Sequence, residues 1–176
     1  MFDGCGMNGK STRPTTFTYG AVERALADVF EIEPDRLKAF RSQLLHIRNL
    51  GVPRGLARPG SGRRIEYTLP QALEMAFTAV LEQHGYTPRL AVRIGPRMLD
   101  TLIQHSGQGL PGSAPYYVIV DKPAPTEMHS GFTFLPKEQL TRMIEDRLVD
   151  REDDTLFVVA ISSLMRKIEG ALHKGL

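Results

Sequence analysis

Residues 34–68 have the sequence PDRLKAFRSQLLHIRNLGVPRGLARPGSGRRIEYT, and this stretch decides the fold that the sequence predicts. Its first half predicts an amphipathic helix over residues 34–50, because apolar side chains recur at intervals of three and four. Pro34 suits the first turn of that helix, and Gly51 suits the position just after its end. The apolar positions are Leu37, Phe40, Leu44 and Ile47.

The second half of the stretch cannot continue as a helix, since it combines three glycines and two prolines with four arginines. Residues 63–67 alternate as a short strand does, and residues 59–62 (PGSG) suit a tight turn, so a β-hairpin is predicted. Thr68 then suits the N-cap of a further helix, with Gln71 in the capping-box position.

The flanking residues predict more helices on both sides of this stretch. Apolar periodicity predicts one over residues 19–30, capped by Thr18, and another over residues 69–84. A fourth helix begins at Pro88 and runs to about residue 105, with a kink or break expected at Gly95-Pro96. Helix, short break, helix, Arg-rich hairpin and helix is the order of a winged helix-turn-helix domain, here over residues 16–106.

The remainder of the chain divides by composition. Residues 1–15 are predicted to form a flexible tail and residues 107–115 a linker. Residues 116–176 predict a small α/β segment suited to dimerisation or partner binding. The predicted fold class is therefore mainly α with a β-hairpin wing, plus this small C-terminal α/β segment.

Composition excludes several function classes for these 176 residues. A single cysteine excludes a disulfide framework and a Cys-clustered zinc site, and no metal or cofactor is predicted. No apolar run approaches 18 residues, so no membrane span is expected. Residues 4–11 (GCGMNGKS) match a phosphate-loop pattern but lack the preceding strand and following helix that its chemistry needs. An enzyme is not expected, and the default location is cytoplasmic, associated with the nucleoid.

Basic residues are unevenly distributed, although the net charge is only +2. Residues 36–64 contain eight basic residues and no acid, which favours a polyanionic partner. The alternative is a solvated basic face. The eight residues are Arg36, Lys38, Arg41, Arg48, Arg54, Arg58, Arg63 and Arg64.

Residues 16–106 resemble the DNA-binding region of MerR-type transcriptional regulators. That family has a leucine-arginine-tyrosine-tyrosine-glutamate run on its second helix and an arginine-tyrosine element in its wing. The corresponding stretches here are LKAFR (37–41) and RRIEYT (63–68), and LEQHGYTP (81–88) is similar to the family's turn into its fourth helix. Ala39 and Phe40 replace the paired aromatics, and the only cysteine is Cys5, so metal sensing and promoter distortion are not implied.

The resemblance places Lys38 where the family has an arginine and makes it the best single DNA contact. Arg41 and Gln43 have the chemistry to pair with guanine and adenine. The stem of Arg48 is as well suited to packing against the core as to DNA. The expected DNA-binding residues are Arg36, Lys38, Arg41, Ser42, Gln43, His46, Arg54, Arg58, Arg63 and Arg64.

These features predict a bacterial transcriptional regulator that acts as a homodimer. Helix 34–50 would enter the major groove of double-stranded DNA, and the Arg-rich wing would contact the backbone or minor groove. Two alternatives remain open from sequence. One is a winged-helix interaction module that recruits RNA polymerase or another regulator through residues 116–176, and the other is a weakly specific architectural DNA-binding protein.

Overall fold

The computed structural model describes residues 15–56, 65–106, 116–121, 132–150 and 156–174. This part of the chain is mainly helical, with one two-stranded and one three-stranded antiparallel sheet. The elements are β1 (Thr16–Thr18), α1 (Tyr19–Val29), α2 (Leu37–Asn49), β2 (Glu66–Thr68), α3 (Leu69–Gln83), α4 (Pro88–Ser106), β3 (Tyr116–Asp121), β4 (Phe132–Pro136), α5 (Lys137–Asp150), β5 (Leu156–Ala160) and α6 (Ile161–Lys174).

The helix predicted over residues 34–50 is confirmed, with its first residues, Pro34–Arg36, in a 3-10 turn. Phe40, Leu44 and Ile47 are buried on its inner side, as the apolar spacing predicted. Burial of each such side chain stabilises the fold by about 1.5–3 kcal/mol. The inner side of α2 is therefore fixed against the core, and its opposite side is left to solvent.

The predicted caps are also present. The backbone N–H of Ala21 donates to the Thr18 hydroxyl at 3.2 Å, which starts α1. Thr68 and Gln71 form the predicted capping box at the start of α3. At the ends of α2 and α3, Gly51 and Gly85 adopt positive φ angles of 95° and 86°, a conformation that glycine adopts without steric cost.

The pairing of β2 differs from the hairpin that the sequence predicted. β2 pairs in antiparallel register with β1, so that Phe17 lies opposite Tyr67 and both rings are buried. Residues 51–56, before the predicted turn, contain no strand. Burial of two aromatic side chains on one face explains why this pairing, across about fifty residues of sequence, forms.

Helix α4 continues through Gly95-Pro96, where a kink or break was predicted. The reason for a glycine at this position is packing, because a Cβ atom on Gly95 would lie 2.4 Å from the Thr78 hydroxyl oxygen of α3. Gly95 thus allows α4 to approach α3 closely. This approach brings the Pro96 carbonyl and the Asp100 carboxylate of α4 into contact with the Arg54 side chain.

The C-terminal residues form the predicted small α/β arrangement, with an antiparallel sheet in the order β4-β3-β5. Its last helix, however, belongs to the helical core, since α6 packs against α1 and α3. The last helix of the C-terminal segment therefore shares a core with α1 and α3. The buried side chains of α6 are Ile161, Met165, Ile168 and Leu172.

Several sequence predictions lie outside the described residues. They are the tail up to residue 14, the phosphate-loop match, the hairpin turn and the linker over residues 107–115. Among the helices that are described, none combines the length and apolar character needed to cross a membrane.

Candidate nucleic-acid interface

The outward face of α2, defined here as Arg36, Lys38, Ser42 and His46, lies on the solvent side of the helix. All four residues are exposed. Arg36 precedes the helix and Lys38 is in its first turn, so both cations lie at one end of the face. The Ser42 hydroxyl donates to the Lys38 carbonyl at 3.1 Å, which leaves its oxygen lone pairs available as acceptors.

Arg36 and Lys38 have no acidic partner within 4 Å among the residues that the structure describes. An exposed cation without an acid partner remains available to an incoming phosphate, since it does not have to give up an existing ion pair. A rigid helix that presents such groups is suited to reach into a groove of duplex DNA.

Two other predicted base contacts, Arg41 and Gln43, already have acidic partners. The Arg41 guanidinium donates from Nε to Glu23 of α1 at 2.6 Å. The Gln43 amide donates to Glu82 of α3 at 2.9 Å. Both acids lie outside the acid-free residues 36–64 in sequence, and they come close to Arg41 and Gln43 only in the folded protein. A contact of Arg41 or Gln43 with DNA would have to replace these bonds.

Arg48 packs against the protein, one of the two outcomes that the sequence left open. Its guanidinium carbon lies 5.1 Å from the ring centroid of Tyr19, within the range of a cation–π interaction. The Tyr19 ring in turn lies 6.0 Å from that of Tyr67. In the described part of the chain neither buried tyrosine hydroxyl has a hydrogen-bond partner. Burial, followed by the Glu23 carboxylate, raises the pKa of Tyr19.

Arg54, expected to contact DNA, forms a dense ion-pair network with α3 and α4. Its Nε and Nη2 atoms donate to Glu74 Oε1 at 2.9 and 2.6 Å, and its backbone N–H donates to Glu74 Oε2 at 2.8 Å. Nη1 and Nη2 also donate to the two Asp100 oxygens, both at 2.7 Å. Arg54, Glu74 and Asp100 are called the Arg54 anchor below.

The electrostatics of the Arg54 anchor follow from these bonds. Hydrogen bonds to Asp100 and Glu74 raise the pKa of Arg54, and the bond from Arg54 lowers the pKa of Asp100. Nη2 additionally donates to the Pro96 carbonyl of α4 at 3.2 Å. Pro96 directly follows Gly95, so the close approach of α4 to α3 supplies this acceptor and brings Asp100 within reach.

Three predicted wing residues, Arg58, Arg63 and Arg64, lie outside the described residues, but both ends of their segment are held. On one side Arg54 is fixed by its ion pairs, and the Gln71 amide donates to the Arg54 carbonyl at 3.3 Å. On the other side β2 pairs with β1, and the Thr16 hydroxyl donates to Glu66 at 2.9 Å. The Arg-rich segment over residues 57–64 thus begins and ends at ordered structure.

The acids of this region were missed by sequence reasoning, although one signal was present. Residues 72–81 of α3 are buried throughout, and Glu74 and Thr78 are their only polar members. Because a buried carboxylate needs a partner, an isolated glutamate on such a helix predicts a cation nearby. Nothing in the local sequence of Glu23, Glu82 or Asp100 gives a comparable signal.

Comparison of the chain with protein-family models and with curated proteins finds no match to either. The resemblance to MerR-type regulators stays a prediction from the residues of the second helix, the Arg-rich segment and the turn into α4.

Proposed function

We propose that this protein is a DNA-binding transcriptional regulator of the winged helix-turn-helix type. The outward face of α2 would enter the major groove of double-stranded DNA, and the Arg-rich segment over residues 57–64 would contact the backbone or minor groove. The observation that carries the proposal is the exposed pair Arg36 and Lys38, which form no ion pair within 4 Å with an acid of the described residues.

The arrangement of supporting contacts favours this role over a simple solvated basic face. The inner side of α2 is buried, so the helix presents its cations from a rigid position. The Arg54 anchor and β2 hold the two ends of the Arg-rich segment on the same domain as α2. Phosphate contacts from such fixed groups set the register of a protein on the duplex.

Binding to DNA is tested by fluorescence anisotropy with the full chain, using duplexes enriched by in vitro selection and a random duplex of equal length. We expect saturable binding that weakens with salt. Lys38→Ala should lower affinity about fivefold and reduce the magnitude of the salt slope by about one, the value for one lost phosphate contact. The matched control is Lys167→Ala, which removes an exposed lysine of α6.

The outcomes separate the candidate roles. A preference of several kcal/mol for a selected sequence at about 0.15 M salt supports a specific regulator, whereas equal binding to random DNA indicates an architectural protein. Absence of binding at low salt, or equal affinities for Lys38→Ala and the parent chain, contradicts DNA recognition by α2.

An interaction module that acts through residues 116–176 is the second candidate. Because α6 buries its apolar side in the helical core, partner or dimer contacts would have to come from the rest of this segment. Analytical ultracentrifugation of the full chain measures whether a homodimer forms.

A further inference from the structure

The turn after α1 departs from the pattern at the ends of α2 and α3. All three ends have the same hydrogen bonds, in which the second residue after the cap donates to a carbonyl five residues back, as Ile32 does to Ala27 at 3.0 Å. Gly51 and Gly85 occupy the left-handed position at two of these ends, but Glu31 occupies it at the third, with φ 52°. Among the described residues it is the only non-glycine with positive φ.

A glutamate is an unexpected choice for this position. Glycine adopts the left-handed conformation without steric cost, whereas a side chain makes it unfavourable. Strained residues of this kind concentrate at binding sites, where the side chain has a role that offsets the strain. The surroundings of Glu31 indicate what that role is.

Glu31 lines a groove of about 440 Å³ between the α1–α2 turn, α2 and the end of α3. The apolar part of its wall is formed by Phe30, Ile32, Ala39 and Phe40, and the two phenylalanine rings meet edge to face at 5.9 Å. A groove of this volume, with aromatic walls and a few polar groups, has the dimensions of a small-molecule site.

The charged groups of the groove determine which ligand it suits. Glu31 and Glu33 contribute two carboxylates and Arg36 one guanidinium, so the lining carries a formal charge of −1. Gln43, also in the lining, donates to Glu82, and in the described part of the chain the other, buried carboxylate oxygen of Glu82 has no hydrogen-bond partner. Carboxylates beside aromatic rings attract organic cations and disfavour anions.

We propose that this groove binds a small organic cation with an aromatic group, an arylalkyl ammonium. The aromatic group would pack on Phe30 and Ile32, and the ammonium would lie between the carboxylates of Glu31 and Glu33. The proposal does not depend on DNA binding. A bound cation would nevertheless lie next to the outward face of α2, because Arg36 belongs to both.

The test is a titration of the ¹⁵N-labelled full chain, followed by NMR, with three probes that share one phenyl ring. The probes are 2-phenylethylammonium, neutral 2-phenylethanol and anionic 3-phenylpropionate. We expect saturable binding of the cation, at least threefold tighter than the alcohol, with amide shifts concentrated at Ile32, Ala39 and Gln83. The anion should bind more weakly than the alcohol.

Variants assign the effect to the two carboxylates. Glu33→Gln and Glu31→Gly should each weaken the cation about two- to fivefold, as expected for loss of one exposed ion pair, without changing the affinity for the alcohol. Asp35→Asn is the matched control, because Asp35 is exposed in the same turn but does not line the groove. Equal affinities for the cation and the alcohol, an unchanged cation affinity in both glutamate variants, or shifts elsewhere on the protein would overturn the proposal.

Discussion

The outward face of α2 and the Arg54 anchor are both built from basic residues of one acid-free stretch, yet the fold treats them differently. Lys38 is exposed and meets no acid among the described residues, whereas Arg54 donates six hydrogen bonds, five of them to Glu74 and Asp100. Neighbouring charges in sequence therefore have separate roles. A basic residue is available to a polyanion only where the fold leaves it unneutralised.

The largest effect should follow from removal of the anchoring arginine. Arg54→Ala leaves the Glu74 carboxylate, whose side chain is 8% exposed, with only the backbone N–H of residue 54. We expect a loss of about 3 kcal/mol in the free energy of unfolding, because the buried Glu74 carboxylate loses its cation. Urea denaturation at pH 7 measures it.

Two companion variants sharpen this result. Arg54→Lys keeps a charge but not the planar fork, so its loss should be intermediate. Arg93→Ala, at an exposed position of α4, should change stability by less than about 0.5 kcal/mol. If Arg54→Ala were as stable as Arg93→Ala, the anchor would have no structural role, and the Arg54 side chain would be available to contact DNA.

The contrast between the two regions also shows which features the sequence could predict. Periodicity and capping predicted α2 and its exposed face, because both depend on residues three to five positions apart. The partners of Arg41, Gln43 and Arg54 were not predicted, because their acids come from α1, α3 and α4. A count of charges along the chain contains no information about these distances.

The sheet and the C-terminal helix show the same limit. β1 is only three residues long, and a pairing across about fifty residues leaves no local pattern. Residues 116–176 predicted a small α/β segment, but nothing in their sequence identified α1 as the packing partner of α6, since any apolar face of the domain would satisfy an apolar helix. Helices and their caps were thus predictable from local sequence, whereas the choice between equivalent strand and helix packing partners was not.

A second prediction disrupts the anchor from the α4 side. Gly95→Ala places a Cβ atom 2.4 Å from the Thr78 hydroxyl and 3.0 Å from its backbone nitrogen, so α4 has to move away from α3. Overpacking costs about 1–3 kcal/mol and outweighs the higher helix propensity of alanine, for an expected net loss of about 1–2 kcal/mol. Thermal unfolding followed by circular dichroism measures the change.

The control for this change is another glycine-to-alanine substitution. Gly170→Ala lies on an exposed face of α6, where the added Cβ meets no other atom within 4 Å beyond its own helix backbone and chain neighbours, so it should stabilise the protein by about 0.5–1 kcal/mol. Stabilisation in both variants would show that the close approach at Gly95 is not required.

A third prediction converts a neutralised cation into an available one. Glu23→Gln removes the acid that binds Arg41, which then resembles Lys38. If Arg41 lies at the DNA surface, affinity should rise about two- to fivefold, and the salt slope should steepen by about one. Anisotropy titrations at several salt concentrations measure both, with Glu169→Gln on α6 as the matched control. An unchanged slope would place Arg41 outside the interface.

The smallest effect concerns the Arg54–Asp100 ion pair, which is the more exposed part of the Arg54 anchor. Arg54 lowers the pKa of Asp100 below its ordinary value of 3.8, so this pair stabilises the fold above pH 3.8 and loses its contribution as pH falls through the lowered value. Because both side chains are nearly half exposed, Asp100→Asn should cost only about 0.5 kcal/mol at pH 7. The stabilities of the parent and the variant should approach each other as pH falls below 3.8, because the unfolded chain takes up a proton at Asp100 before the folded chain does. Urea denaturation at pH 7 and pH 2 tests this, and an equal difference at both values would mean that Asp100 acts through packing and not through its charge.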